Sequence, residues 1–336
     1  MKNTSTIKEI AYKLGISTST VSRALRGLPE IKADTRAAVV RMAEELDYQP
    51  NLLAKNLAKS HTKTIGVVVP SLSYYFFASV ISSIEEAALQ AGYSVMICQT
   101  NESYLREISQ IENLLNSQIE GLILSVSRDT SQTEHIERLL RKKVPIVLFD
   151  RYIENLEVSK VIVDNKAAAF QATEHLIENG CTRLACLAGP QNLLISNQRL
   201  EGFKEALQKY GLPFCKQYVL HSDFSQENTM MQAFQLMNLP QPPDGLLTMS
   251  DRIAFAAMHA LKQRGVKIPQ ELAVVSFNNE PHCNYLSPSL TSVSQPIAEM
   301  GRQAVRLLLK HLQNDDNPNE TVILPTQLMV RESSMR

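Results

Sequence analysis

Between Ile65 and Phe277 the chain alternates short, unbroken apolar runs with longer amphipathic stretches, and this alternation limits the fold more than any other feature. The runs are Ile65–Pro70, Ser94–Cys98, Gly121–Leu124, Pro145–Phe149, Val161–Val163, Leu184–Ala188, Gly245–Leu247 and Leu272–Phe277. They are rich in Val, Ile and Leu and show no polar alternation. Both faces of such a strand must be covered, as in a parallel sheet between helices. The amphipathic stretches are Phe76–Ala91, Tyr104–Ser117, Lys166–Asn179, Gln198–Tyr210, Ile253–Arg264 and Ile297–Leu312. Gly92, Gly180, Gly211 and Gly265 follow four of them directly, where a helix ends in a left-handed residue. Repeated βα units with short loops predict a doubly wound α/β architecture. The series is long for one open sheet, and "VIVDNKAAAFQATEHLIENG", around Asp164, reads as a restart. Two α/β lobes with a cleft between them are expected; one large sheet is the alternative.

The first 60 residues have a different texture, helical and without a strand-like run. In "TSTIKEIAYKLGISTSTVSRALRG" (Thr4–Gly27), Thr6 and Glu9 have the spacing of a capping box. Ile7, Ile10, Ala11 and Leu14 share one face, Gly15 permits a tight turn, and Ser17 is placed to cap a second helix, Thr18–Leu25. Val21, Ala24 and Leu25 form the apolar face of that helix. A third helix, Thr35–Leu46, offers Val39, Val40, Met42, Ala43 and Leu46 to close a three-helix core. This is a helix–turn–helix. Its second helix turns Thr18, Ser19, Ser22 and Arg23 away from the core. Short hydroxyls and a guanidinium suit a surface that meets phosphates and base edges in a major groove, with Arg23 bidentate to a guanine. A merely solvated face is the competing reading. Charge favours the first: residues 1–60 carry ten Lys or Arg against six Asp or Glu, while the rest carry 24 against 28.

Other classes are disfavoured. The five cysteines are an odd number without a C-x-x-C, which argues against a disulfide framework and for a reducing cytoplasm. No leader-like or membrane-spanning apolar stretch is expected. The motifs G-x-S-x-G, G-x-G-x-x-G, H-E-x-x-H and the P-loop are absent. "SHTK" (Ser60–Lys63) spells S-x-x-K but lies in a polar joint. The seven histidines are scattered, and His282 beside Cys283 has no further ligand spacing. No enzyme activity, cofactor or metal is expected.

"TIKEIAYKLGISTSTVSRAL" and "TRAAVVRMAEELDYQPNLLAKNLA" resemble the lactose-repressor/galactose-repressor (LacI/GalR) family of bacterial transcription regulators. The likeness continues in family order through "TIGVVVPSLS", "VLFDR", "VIVDN", "QRLEGFKEAL", "VVSFNNEP" and "SPSLTSVSQPIAEMGRQAVRLLL". The resemblance implies an all-α helix–turn–helix headpiece (residues 1–50), a hinge helix and linker (51–61) and a core (62–336). The core would be two doubly wound parallel-sheet lobes, like a periplasmic binding protein. The first lobe would take about 62–162 with 293–321, and the second about 163–292 with 322–336.

By the same resemblance the protein is a cytoplasmic homodimer that binds double-stranded operator DNA and regulates transcription, most often as a repressor. A small, sugar-like effector would control it from between the lobes. The family pattern places base reading at Thr18, Ser19 and Arg23, and phosphate contacts at Thr6, Thr20, Ser22 and Asn51. The hinge would bring Leu57 into the minor groove as a wedge, flanked by Ala54 and Lys55. A helix of that length is unstable alone, so it would order only on DNA. Effector contacts fall on Phe76, Phe77, Ser125, Ser127, Arg151, Arg199, Asp251 and Asn278. The chain departs from the family at Lys32, where a capping Ser or Thr is common, and at Arg26, where Asn is common. In the core, Asn278 stands in "FNN" where "FDD" is frequent, and Ile195 replaces a Ser or Thr. The end after "LMVRES" carries no leucine heptads, so no tetramer tail is expected. A stand-alone sugar receptor would account for the core but not for the headpiece.

Overall fold

The computed structural model describes residues 6–48, 62–314 and 316–336. The chain divides into two compact units, Met1–Thr62 and Lys63–Arg336.

The first unit holds α1 (Ile7–Leu14), α2 (Thr18–Leu25) and α3 (Ala33–Glu45). Its small core is Ile10, Ala11, Val21, Ala24, Val39 and Ala43. Gly15 ends α1 at φ 63°, a left-handed conformation that glycine adopts without steric cost. Ser17 Oγ accepts the Thr20 N–H at 3.1 Å and caps α2. Three expectations need correction. Thr6 sits at the N-cap of α1, but its side chain caps nothing, and Glu9 faces Lys13 one turn on at 4.0 Å, so no capping box forms. Val40 is 40% exposed, because the 100° step from the buried Val39 carries it off the core face. Helix α3 begins two residues earlier than expected, at Ala33, and the Lys32 side chain at its N-cap makes no capping bond.

The second unit is two sheets. The first contains β1 (Thr64–Val69), β2 (Ser94–Gln99), β3 (Gly121–Leu124), β4 (Ile146–Phe149), β5 (Ser159–Val163) and β11 (Thr321–Leu324), in the order β11-β5-β4-β3-β1-β2. All its pairs are parallel. The second contains β6 (Leu184–Ala188), β7 (Val219–His221), β8 (Gly245–Thr248), β9 (Ala273–Phe277), β10 (Thr291–Ser294) and β12 (Gln327–Met329), in the order β12-β10-β9-β8-β6-β7. Only the β10–β12 pair is antiparallel. Helices α4 (Tyr75–Gln90), α5 (Tyr104–Asn116), α6 (Glu134–Arg141) and α11 (Ile297–Gln313) serve the first lobe. Helices α7 (Asn165–Glu178), α8 (Leu194–Lys209), α9 (Gln226–Met237) and α10 (Asp251–Gln263) serve the second. Gly202 lets α8 approach α7 closely: a Cβ there would lie 2.0 Å from the Lys166 carbonyl oxygen.

In each sheet the chain steps from the lobe's first strand to an edge strand on one side and then crosses to the other side, around β1 and around β6. The carboxyl ends of those strands are the switch points where doubly wound sheets hold ligands. Three segments join the lobes, displaced slightly from the expected boundaries. Val163 still pairs in the first sheet, with Leu324. Val293 and Ser294 pair with Leu328 and Gln327 in the second sheet, and Val322 to Leu324 belong to the first.

Candidate functional site

On the headpiece, Thr18, Ser19 and Arg23 are exposed along α2, Thr20 and Ser22 are half-buried, and Thr6 is exposed at the start of α1. Ser17 Oγ lies 2.7 Å from Ser19 Oγ and 2.8 Å from Thr20 Oγ1, so the hydroxyls cluster at the N-terminus of α2. Anions favour a helix N-terminus, where free N–H groups and the positive end of the dipole converge. Arg23 Nη1 is 3.7 Å from Glu30 Oε2, with both side chains more than half exposed. Such a pair is weak and screened by salt, so a competing acceptor displaces it easily. Asn51, Ala54, Lys55 and Leu57 lie outside the described residues.

A cleft opens between the lobes. Among the residues expected at a ligand, it brings together Phe76, Phe77, Arg151, Arg199 and Asn278. Phe76 and Phe77 pack edge to face with centroids 5.3 Å apart at the start of α4. They present an apolar wall with a negative π-face. Arg199, on α8, donates from Nε to Asn165 Oδ1 at 2.8 Å and from Nη1 to the Met249 carbonyl at 2.6 Å, 4.1 Å from the Phe277 ring centroid. Burial lowers its pKa to about 10, against the pull of Asp150, so it remains a cation at neutral pH. Two nitrogens are thus fixed by protein, which leaves Nη2 to serve the cleft. Arg151 forms a bidentate pair with Glu102, at 2.7 and 3.0 Å. Burial opposes the charge on Glu102, but Arg151 and Arg128 outweigh it and hold the carboxyl below the usual range.

Ser125, Ser127 and Asp251 do not line this cleft. Both serines are buried below the end of β3. Ser127 Oγ is hydrogen-bonded with Thr100 Oγ1 at 2.6 Å, and its N–H donates to the buried Glu107. Asp251 is fully buried at the start of α10 and accepts from Ser292 Oγ at 2.6 Å and from the Glu280 N–H at 2.7 Å. It supports the loop that carries Asn278 and Glu280 instead of facing the cleft itself. Tyr74, Asp150, Phe224, Arg252, Glu280 and Gln295 also line the cleft, and the sequence reading did not select them. Two of them share a backbone feature with Asn278. Asp150, Phe224 and Asn278 are non-glycine residues at positive φ (56°, 68° and 105°). Backbone strain of this kind concentrates where function over-determines geometry, but periodicity in sequence does not show it.

Among the described residues the Asp150 carboxylate has no hydrogen-bond partner, and burial raises its pKa despite nearby Arg151 and Arg199. A carboxyl whose folded value is raised favours the folded state only below its unfolded value. That contribution is lost as pH rises through the folded value. Asp150→Asn is therefore expected to raise the melting temperature by about 2–4 °C at neutral pH, with the gain vanishing near pH ~4. Melting curves of both proteins at the two pH values check this; equal gains at both would place the cause elsewhere.

No group of three or more His, Cys, Asp or Glu among the described residues is arranged to hold a metal ion. No helix among them is long and apolar enough to cross a membrane.

Comparison with known proteins relates both units to others. The family model for bacterial regulatory proteins of the lacI family matches residues 6–51, and that for the periplasmic binding protein-like domain matches 173–334. The HTH-type transcriptional repressor CytR of Escherichia coli is 33% identical over 332 residues, covering 98% of this chain and 96% of that protein. The structure of transcriptional regulator CelR with cellobiose matches with a TM-score of 0.75 at 28% identity, over 98% of this chain and 99% of that one. The lac repressor dimer bound to operator and the anti-inducer ONPF matches in fold with a TM-score of 0.87 at 24% identity, over 99% and 100%.

Proposed function

Because this chain belongs to the lacI family of bacterial regulatory proteins, we propose that it is a cytoplasmic homodimeric repressor of transcription whose hold on operator DNA is set by a small polyhydroxylated effector between the lobes. One observation carries the reading: a single chain joins an exposed hydroxyl-and-arginine helix face to a cleft lined by a buried guanidinium and a buried carboxylate. The first has no use in a stand-alone receptor, and neither is an arrangement for catalysis.

In the duplex, α2 of each protomer enters a major groove. Thr18, Ser19 and Arg23 meet base edges while Thr6, Thr20 and Ser22 face phosphates. Two protomers read half-sites of a near-palindrome. Asn51, Ala54, Lys55 and Leu57 are assigned to the segment between headpiece and core, at the central minor groove.

In the cleft, the rings of Phe76 and Phe77 take the apolar face of a sugar-like molecule. Arg199 Nη2 donates to its hydroxyl oxygens, Asp150 accepts from its hydroxyls, and the Asn278 amide does both. The related CelR structure holds cellobiose, and the lac repressor structure holds ONPF. Coupling arises because the effector binds one arrangement of the lobes better than another, which shifts the population that grips DNA.

The test is selection from a random duplex library with the intact chain and with a chain lacking residues 1–60. The intact protein is expected to enrich a near-palindromic site, and the truncated one nothing. If the intact protein, alone and with cellobiose or D-ribose, enriches no sequence over random competitor, the proposal fails.

A further inference from the structure

Building on the reading of the cleft as an effector site, we propose that Glu102, which lies outside the cleft, is a positioning residue that ties Arg151 to a clasp holding the two lobes together. Its carboxylate is shared. Oε1 and Oε2 accept the fork of Arg151, and Oε2 also accepts the Arg128 N–H at 2.8 Å. Arg128 is where the lobes meet. Its Nη1 donates to the Asp223 carbonyl of the second lobe at 3.2 Å, and its own carbonyl accepts Asn192 Nδ2 at 2.9 Å. A third bond starts beside Arg151, where Tyr152 Oη accepts Gln198 Nε2 at 2.8 Å, one residue before Arg199. The cross-lobe bonds on this flank therefore begin next to a cleft arginine or one carboxylate away from it.

The backbone is bent to make this junction. Asn101 and Glu102 both have positive φ (52° and 61°), as does Asp150, immediately before Arg151. Each end of the Glu102–Arg151 pair thus leaves its strand through a conformation that costs energy in non-glycine residues. The neighbouring Glu107, fully buried, fixes the rest of the loop by accepting the Ser127 N–H at 2.6 Å and the Thr130 hydroxyl. Arg128 is therefore presented from a rigid base, and movement of Arg151 reaches it through a single carboxylate. An occupant that draws on Arg151 changes how firmly Glu102 holds the clasp.

The inference is tested on the full chain without any ligand, so its failure is separate from failure of the effector assignment. Genetically encoded spin labels at the exposed Lys142 and Lys216, one in each lobe, leave the native cysteines in place. Labelled chain is diluted with unlabelled chain and interlobe distances are read by pulsed electron paramagnetic resonance. Arg128→Ala and Glu102→Gln are each expected to raise the ratio of long to short separations roughly tenfold, the usual effect of losing a charge-assisted hydrogen bond. The double variant is expected to shift the ratio by clearly less than the product of the two singles, because the Arg128 side chain is part of what Glu102 positions, while its hold on the backbone that presents the residue-128 carbonyl to Asn192 survives in Arg128→Ala. Arg151→Lys, which keeps the charge but breaks the fork, is expected to shift the ratio in the same direction. Glu102→Asp, one methylene shorter, replaces the amide variant if that does not fold and carries the same expectation. An unchanged ratio in Arg128→Ala or in Arg151→Lys overturns the proposal, as does a double variant whose shift is the product of the two singles.

Discussion

Arg199→Ala is expected to abolish the response to effector while leaving operator affinity within about twofold of the parent. The guanidinium is anchored by Asn165 and the Met249 carbonyl over the Phe277 ring, so its remaining donors face the cleft with little freedom to lose. A preorganised, desolvated cation of this kind contributes about 3 kcal/mol to a hydrogen-bonded ligand, or more than a hundredfold in affinity. Removing it also leaves the buried Asp150 without one of its two nearby cations. That raises the cost of an ionised carboxylate against the ligand and deepens the loss. The headpiece does not depend on this arginine, so the duplex sequence preferred without effector should not change. Calorimetry with an effector identified by screening, together with operator titrations, measures both quantities. A retained response would move the effector to another surface.

Arg23→Ala is expected to weaken binding to the preferred operator by about 1–3 kcal/mol and to relax discrimination at one position in each half-site. The exposed guanidinium now rests against Glu30 at 3.7 Å. Reaching a base means leaving a carboxylate, and the same carboxylate repels DNA phosphates. Glu30→Gln should accordingly tighten binding to specific and random duplexes alike, whereas Arg23→Ala should fall mainly on the specific site. A randomised-site library, read for each variant at fixed salt, separates the two. An unchanged base preference in Arg23→Ala would remove that residue from base reading.

The family resemblance pointed to cleft residues that directly follow strands: Arg151 after β4, Phe76 and Phe77 after β1, Asn278 after β9. The cleft was illegible where a side chain's direction depended on its neighbours. Ser125 and Ser127 also follow a strand, yet Glu107 and Thr100 hold Ser127 in the interior. Asp251 opens a helix beside the cleft, yet Ser292 and the Glu280 amide claim its carboxylate. Those partners lie far along the chain, so no local pattern announces them.

The elements divide in the same way. β3 and β6 could be read residue for residue from their apolar runs, because burial on both faces demands continuous hydrophobicity. β10, "TSVS", could not. Thr291 and Ser292 are fully buried, but their hydroxyls are satisfied by Ser334 and Asp251, so polar residues serve in a core strand. Edge strands β7, β11 and β12 are short and partly exposed, and they lack the signal for the same reason in reverse.

By itself, then, the order of residues determined the kinds of elements, the doubly wound lobes and the outward face of α2, since these follow from the periodicity of apolar side chains and from turn and cap chemistry within a few positions. Only the tertiary structure decided which carboxylates meet which arginines, where each chain crossing falls, and that Glu102 stands between the cleft and the clasp. Those outcomes rest on hydrogen bonds between segments tens of residues apart and on backbone bends that a pattern of hydrophobicity does not encode.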